Sequence, residues 1–268
     1  MYPIILKFGP LNIFGIEIGP FFIYTYGLFV ALGFLGALIS SAKIAKKENI
    51  SEDIILDICL WIIIFSIIGA RIFYIILNFS YYIENPFEML QIYKGGLVFY
   101  GGLIAGILIS VWYTNKNKLP LFKIADILAP GIALGQGFGR IGCFFRGCCY
   151  GKQTQLPWGI TFPDDSLAAY LYGNNHKIHP SQIYEAMIDI CIFIFLWFYT
   201  KKKKFTGQIF LLYLILYGIG RIFTESTRGD IERGLWGYLS TSQIMSFILI
   251  IIASGMYIYL FKKEKKCQ

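Results

Sequence analysis

Long apolar stretches separated by short, lysine-rich runs organise this chain. A helix needs about 20 apolar residues to cross a bilayer. Seven stretches reach that length, roughly Phe21 to Ser41, Ile54 to Leu77, Gly95 to Thr114, Leu121 to Ile141, Ser181 to Tyr199, Thr206 to Thr224 and Ser240 to Phe261. The pattern predicts an all-α polytopic membrane protein of seven transmembrane helices. The lysines agree with that number. Those after the first, third, fifth and seventh stretches make up 14 of the 24 basic residues and fall on one side of an alternating chain. The other side receives Lys7, Lys94, Arg146, Lys152, Lys177, Arg228 and Arg233, spread over longer segments. Basic residues are retained in cytoplasmic loops, so the N-terminus is expected outside and the C-terminus in the cytoplasm.

Composition strengthens the membrane reading. Hydrophobic residues are 56%, charged residues 15% and the mean hydropathy +0.61, against about 45–50% apolar and about 25% charged in soluble domains. The net charge of +8 lies between apolar stretches rather than along a groove, so no nucleic-acid partner is expected. The first twenty residues hold one lysine and a mixed apolar-polar pattern, unlike a cleavable signal. One membrane domain, 1–268, is expected: an amphipathic arm over 1–20, helices one to four over 21–142, an extracytoplasmic head over 143–180, helices five to seven over 181–261 and a basic tail over 262–268. The head is the longest break, with turns at Pro157-Trp158-Gly159 and Pro163-Asp164-Asp165.

Three arginines stand inside or at the ends of apolar stretches: Arg71, Arg140 and Arg221. An arginine at the centre of a membrane helix costs about 2.5–3.5 kcal/mol on insertion scales, so it faces a partner or a wet cavity, or snorkels to headgroups. The expected topology puts all three in the outer half of the bilayer. Planar guanidinium donors at one depth suit a phosphate. Gly131, Gly135 and Gly139, like Gly102 and Gly106, follow the four-residue spacing that lets helices approach closely. His179 opens His179-Pro180-Ser181-Gln182-Ile183-Tyr184-Glu185, where the proline can start a helix. Cys59 and Cys191 read as packing residues. Cys143, Cys148 and Cys149 lack a standard zinc spacing, so no metal and no cofactor are expected.

Four blocks in order carry a resemblance. They are Gly139-Arg140-Ile141-Gly142, the run from Gly95 to Ile104, the run from His179 to Glu185, and Tyr217-Gly218-Ile219-Gly220-Arg221 through Glu225, Arg228 and Asp230. Together with the seven stretches they resemble the prolipoprotein diacylglyceryl transferase family over nearly the whole chain. The resemblance implies a multi-pass enzyme of the bacterial cytoplasmic (inner) membrane. It would move diacylglycerol from phosphatidylglycerol to the lipobox cysteine of a prolipoprotein signal peptide, forming a thioether and releasing glycerol phosphate. It further implies that Arg140 and Arg221 bind the headgroup and stabilise the departing phosphate, and that Tyr26, Tyr217, Arg71 and Glu225 help hold substrate. Catalytic places fall to Arg140, Arg221, Tyr100 and His179. The family's well-studied form has histidine at Tyr100, and Asn and Glu at Cys143 and Cys148. A tyrosine with an ordinary pKa of about 10 is a poor free base at neutral pH, which makes His179 a rival. Cys143 paired with Cys148 or Cys149, and three free thiols, are both open. An anionic-lipid or anionic-solute carrier would use the same arginines, but transport favours polar breaks near the midplane. An inactive relative that only binds signal peptides has the departures at Tyr100, Cys143 and Cys148 as its support.

Overall fold

The computed structural model describes residues 4–9, 11–13, 16–18, 21–91, 95–163, 166–173, 176–229, 234–236 and 239–267. Parts of the arm over 1–20, together with Lys94, Asp164, Asp165, Asp230 and Arg233, lie outside the described residues. Six helical segments among them are long and apolar enough to cross a membrane: Thr25–Lys47 (α1), Glu52–Leu77 (α2), Leu121–Arg146 (α5), Ser181–Lys202 (α7, Ser181–Tyr199, with a 3-10 turn), Gln208–Thr227 (α8) and Thr241–Lys266, within α9, Thr241–Cys267. The remaining stretch of the expected seven forms α4, Phe99–Lys116, which is 18 residues long and closes on the polar Thr-Asn-Lys. It starts four residues later than the hydropathy pattern predicts. Gly95 and Gly96 hold φ of +89° and +75°, a left-handed backbone that cannot enter a helix.

The chain packs as two compact units, residues 41–125 and residues 1–40 with 126–268. In the first, α2 lies against α4 through small residues. A Cβ placed on Gly106 would stand 2.8 Å from Ser66 Oγ, and one on Gly102 would stand 3.0 Å from the Ser66 carbonyl oxygen. Backbones approach this closely only where side chains are missing. Short α3, Phe79–Glu84, and a 3-10 turn, Pro86–Leu90, follow α2.

Arg71 fastens this unit. It is 5% exposed. Nε donates to the Met89 carbonyl at 3.0 Å, Nη2 to Glu88 at 2.6 Å, and Nη1 to Gly95 at 2.7 Å and Gly96 at 3.2 Å. Four of the five guanidinium N–H groups are thus given to backbone oxygens, and Tyr74 and Tyr82 lie 5.7 and 5.4 Å from the guanidinium carbon. Arg71→Ala is expected to cost about 1–3 kcal/mol for each buried acceptor that water cannot reach. It should therefore raise hydrogen exchange across residues 88–91 and 95–98, and Arg71→Lys, without the planar fork, should not restore protection. Unchanged exchange would show that the clamp does not order this segment.

The second unit opens on strands where the sequence pattern predicts helix. Phe21–Tyr24 is β4, paired antiparallel with β1, Ile4–Phe8, and not the first turn of α1. Its aromatic and β-branched residues suit a pleated ribbon. The strands β2, Leu11–Ile13, and β3, Ile16–Ile18, form another antiparallel pair. In the same unit α5, α7 and α8 share a core of Ala129, Ala133, Ile192, Leu196, Ile209 and Tyr213. Asp126 of α5, 2% exposed, accepts from the backbone N–H groups of Gly207 at 2.7 Å and Phe210 at 2.9 Å. It caps α8 from a neighbouring helix, doing what an N-cap side chain ordinarily does locally. The segment between α5 and α7 has a small core of Tyr150, Phe162, Ala168 and Ile178 and carries α6, Leu167–Tyr172. A two-residue ladder, β5 (Leu235–Trp236) with β6 (Leu239–Ser240), leads into α9.

Candidate functional site

Two carboxyls interrupt the apolar run of α7, Glu185 and Asp189, one turn apart and 6% and 4% exposed. Acidic groups at i and i+4 share a helix face, and here that face meets α5 and α8. The Glu185 carboxylate bridges two arginines. Arg140 Nε of α5 lies 2.5 Å from its Oε2, and Arg221 Nη1 of α8 pairs with its Oε1. Arg221 extends the chain of contacts through Nη2, 2.8 Å from Glu225 Oε2 and 3.2 Å from Ser242 Oγ of α9. Arg228 Nη1 stands 3.9 Å from the same Glu225 oxygen. Burying an unpaired charge costs several kcal/mol. Arg140 and Arg221 on Glu185, with Arg221 and Arg228 on Glu225, offset part of that cost.

Glycines set the spacing around these charges. A Cβ on Gly220 would reach 2.6 Å from Ile188, and one on Gly137 would reach 3.3 Å from the Ala186 carbonyl oxygen, so α8 and α5 both approach α7 beside Glu185. The expected packing role of the four-residue glycine row fails at Gly139, where an added Cβ meets nothing within 4 Å. Arg140, Glu185, Asp189, Tyr217, Gly220 and Arg221 line a cavity of about 10 Å³, room for no more than about one water.

α5 runs one turn past its expected end at Ile141 and carries Gly142, Cys143 and Arg146 on its last turn. Gly147, at φ +76°, ends it. Its N–H donates to the Cys143 carbonyl at 3.0 Å, and the Cys148 N–H reaches the same oxygen at 3.3 Å, the pattern of a left-handed helix stop. This stop folds the chain back so that the Sγ atoms of Cys143, Cys148 and Cys149 lie within 4.8 Å of one another. All three are free thiols. The Cys149 thiol is held below the ordinary thiol range by hydrogen bonds with Cys143 and Cys148, with smaller help from the charges of Arg228 and Arg140. Gln182 of α7, 1% exposed, anchors the loop by donating Nε2 to the Cys148 carbonyl at 2.7 Å. Tyr26, at the start of α1, lies against Gly142, with the Arg146 guanidinium 5.7 Å above its ring.

The structure therefore brings Arg140, Arg221, Glu225 and Tyr217 together, and it sets Tyr26 beside the cysteine loop. His179 is half-buried, with Nδ1 3.4 Å from the Tyr184 hydroxyl, which also accepts from Trp158 Nε1 at 2.8 Å. Arg71 and Tyr100 belong to the unit of residues 41–125, where Tyr100 is exposed at the first turn of α4. Glu185, Asp189 and Ser242 were not among the expected site residues. The pair on α7 had a readable signal, since two carboxyls one turn apart in an apolar span need a cationic partner.

The family model of prolipoprotein diacylglyceryl transferase matches residues 14–259. A Clostridium tetani protein named phosphatidylglycerol--prolipoprotein diacylglyceryl transferase is 40% identical over 255 residues, covering 95% of this chain and 97% of its own. Proteins of that name from Clostridioides difficile and Shewanella oneidensis are 37% and 33% identical over 254 and 270 residues, covering 95% and 98% of this chain and 95% and 97% of theirs. With nearly its whole length matched, the chain belongs to the prolipoprotein diacylglyceryl transferase family.

Proposed function

We propose that this protein transfers the diacylglyceryl group of phosphatidylglycerol to the lipobox cysteine thiol of prolipoproteins. The supporting observation is the buried pair Arg140 and Arg221 sharing one carboxylate, Glu185. A lipid phosphate presents the same kind of oxygen pair as that carboxylate. In this reading the phosphate displaces Glu185 from one or both guanidinium groups, and Glu185 is the counter-ion that keeps the site neutral until lipid arrives.

The thiol then loses its proton, sulfur attacks the glyceryl carbon next to the phosphate ester oxygen, and the C–O bond breaks. Its electron pair leaves on glycerol phosphate, where Arg140 and Arg221 stabilise the growing charge. Tyr217, lining the same cavity, orients a phosphate oxygen; Tyr26, beside the cysteine loop, orients the glyceryl end. Glu225 holds Arg221 in place. His179 and Tyr100 are the candidate proton acceptors. Arg71, with four N–H groups on carbonyls, supports the fold of its unit and does not bind phosphate.

The setting follows from the same reading. We infer one membrane domain with α4 as the seventh span, the N-terminus outside, the C-terminus in the cytoplasm, and location in the bacterial inner membrane. The apolar, exposed Ile5, Leu6, Ile23 and Tyr24 of β1 and β4 then rest on the outer leaflet as an arm. Purified protein given phosphatidylglycerol vesicles and a lipobox peptide is expected to yield a diacylglyceryl thioether and glycerol phosphate, read by mass spectrometry. Unmodified peptide in the presence of folded protein would refute the transfer reaction.

A further inference from the structure

We propose that Cys143, Cys148 and Cys149 form a three-thiolate site for a thiophilic divalent cation, zinc by class, with its fourth position open to an incoming thiol. The sulfur atoms already lie within 4.8 Å of one another. Tetrahedral zinc at about 2.3 Å from each sulfur puts ligand sulfurs about 3.8 Å apart, so closure onto an ion takes side-chain rotation and no movement of the helix. A single disulfide would leave one thiol of the three behind, whereas an ion uses them all.

Charge and anchoring agree with this. Three thiolates and a divalent cation carry a net charge of −1. Arg140 and Arg146 stand three residues before and after Cys143 on α5, so each is a helix-surface neighbour of the first thiol. The loop is fixed before Cys149 by the helix stop at Gly147 and by Gln182 on the Cys148 carbonyl, and after it by the Gly229 N–H on the Tyr150 carbonyl at 3.1 Å. Gln182 is 1% exposed, and its Oε1 has no hydrogen-bond partner, leaving a buried acceptor beside the loop for a metal-bound water.

Zinc sites built for chemistry keep three protein ligands and one exchangeable position, and a thiol bound there is deprotonated outright. The occupant of that position is the substrate thiol, a step that rests on the transferase reading. The thiol would displace metal-bound water and give its proton to solvent in place of His179 or Tyr100. The bound sulfur would then form the C–S bond as the C–O bond to the phosphate breaks, the electron pair leaving on glycerol phosphate, and water would return to the metal as the thioether departs. This puts thiol activation on the cysteine loop in a chain that has Tyr100 at the family's histidine position.

The full-length protein in detergent, reduced and loaded anaerobically with Co²⁺, tests both parts. Binding of about one Co²⁺ per chain with a thiolate-to-cobalt charge-transfer band of tetrahedral type is expected. Cys143→Ser, Cys148→Ser and Cys149→Ser should each weaken affinity by at least about 100-fold, since even outer partners of a metal ligand are worth about 10–100-fold. Cys59→Ser should leave the band intact, and a chelator should abolish it reversibly in the unaltered chain. A lipobox peptide should shift the band, and its Cys→Ser form should not. No band, a band indifferent to the three substitutions, or a disulfide within the trio would overturn the site. A band unmoved by the peptide thiol would overturn the open position. These spectra need no lipid and no turnover. Thioether formation by protein that shows no band would sink the metal site and leave the transferase reading standing; a full spectrum with no turnover would do the reverse.

Discussion

Arg221→Ala is expected to lower turnover at saturating phosphatidylglycerol by about 10²–10³-fold, and Arg140→Ala to do the same, the usual cost of removing one preorganised donor from developing negative charge. Each guanidinium reaches Glu185 from a different helix, Arg140 from α5 and Arg221 from α8. A phosphate seated between them would draw charge-assisted bonds from two directions, and neither arginine could cover for the other. Arg221 has the wider reach, because it also touches Glu225 and Ser242. Its loss leaves two buried carboxyls with fewer partners, so a fall in thermal stability should accompany the fall in rate. Lysine at either position restores charge without the planar fork and should recover little of kcat. Release of glycerol phosphate from folded variants measures this directly, and near-normal kcat in either alanine variant would remove that arginine from the phosphate site.

Glu185→Ala acts on the other half of the pairing. Removing one partner of a buried ion pair costs about 3–5 kcal/mol, because the remaining charges stay out of water. Here two arginines are left together, which puts the expected loss at the upper end of that range. The loss should be partly reversible by mass action, since an anion that binds only the folded state stabilises it. Inorganic phosphate is therefore expected to raise the unfolding temperature of Glu185→Ala far more than that of the unaltered protein, whose carboxylate already fills the place. The double variant Glu185→Ala with Arg140→Ala should lose the response. A phosphate effect of equal size in all three proteins would mean that Glu185 does not stand where an anion binds.

Hydropathy located the long helices because burial in lipid demands about 20 apolar residues whatever the tertiary contacts. It misjudged the ends, where other forces decide. Phe21–Tyr24 is apolar enough for a span but pairs with Ile4–Phe8. The turn from Gly142 to Arg146 looks like a loop from its glycine and cysteine, yet it stays helical until the left-handed Gly147. Arg140 and Arg221 were legible because a charge in an apolar span is costly and conspicuous. The carbonyl contacts of Arg71 were not, since its acceptors lie 17 to 25 residues away and carry no side-chain signature. Nor does the order Cys143, Cys148, Cys149 announce a cluster. Only the reversal at the end of α5 brings the three sulfurs together.

Asp126 has a consequence for the far end of α8. Its carboxylate fixes the helix at Gly207 and Phe210, and the helix then runs 20 residues, about 30 Å, to its end at Thr227. That length equals the hydrocarbon thickness of a typical bilayer, about 30 Å. Arg221 sits about 20 Å along this rod, two-thirds of the way to its far end, and the near end is tied to α5 by Asp126. In the proposed reaction the lipid headgroup comes to the level of that arginine, so the anchored helix sets a fixed depth for it. A bilayer a few ångströms too thick or too thin should slow the enzyme with every site residue intact.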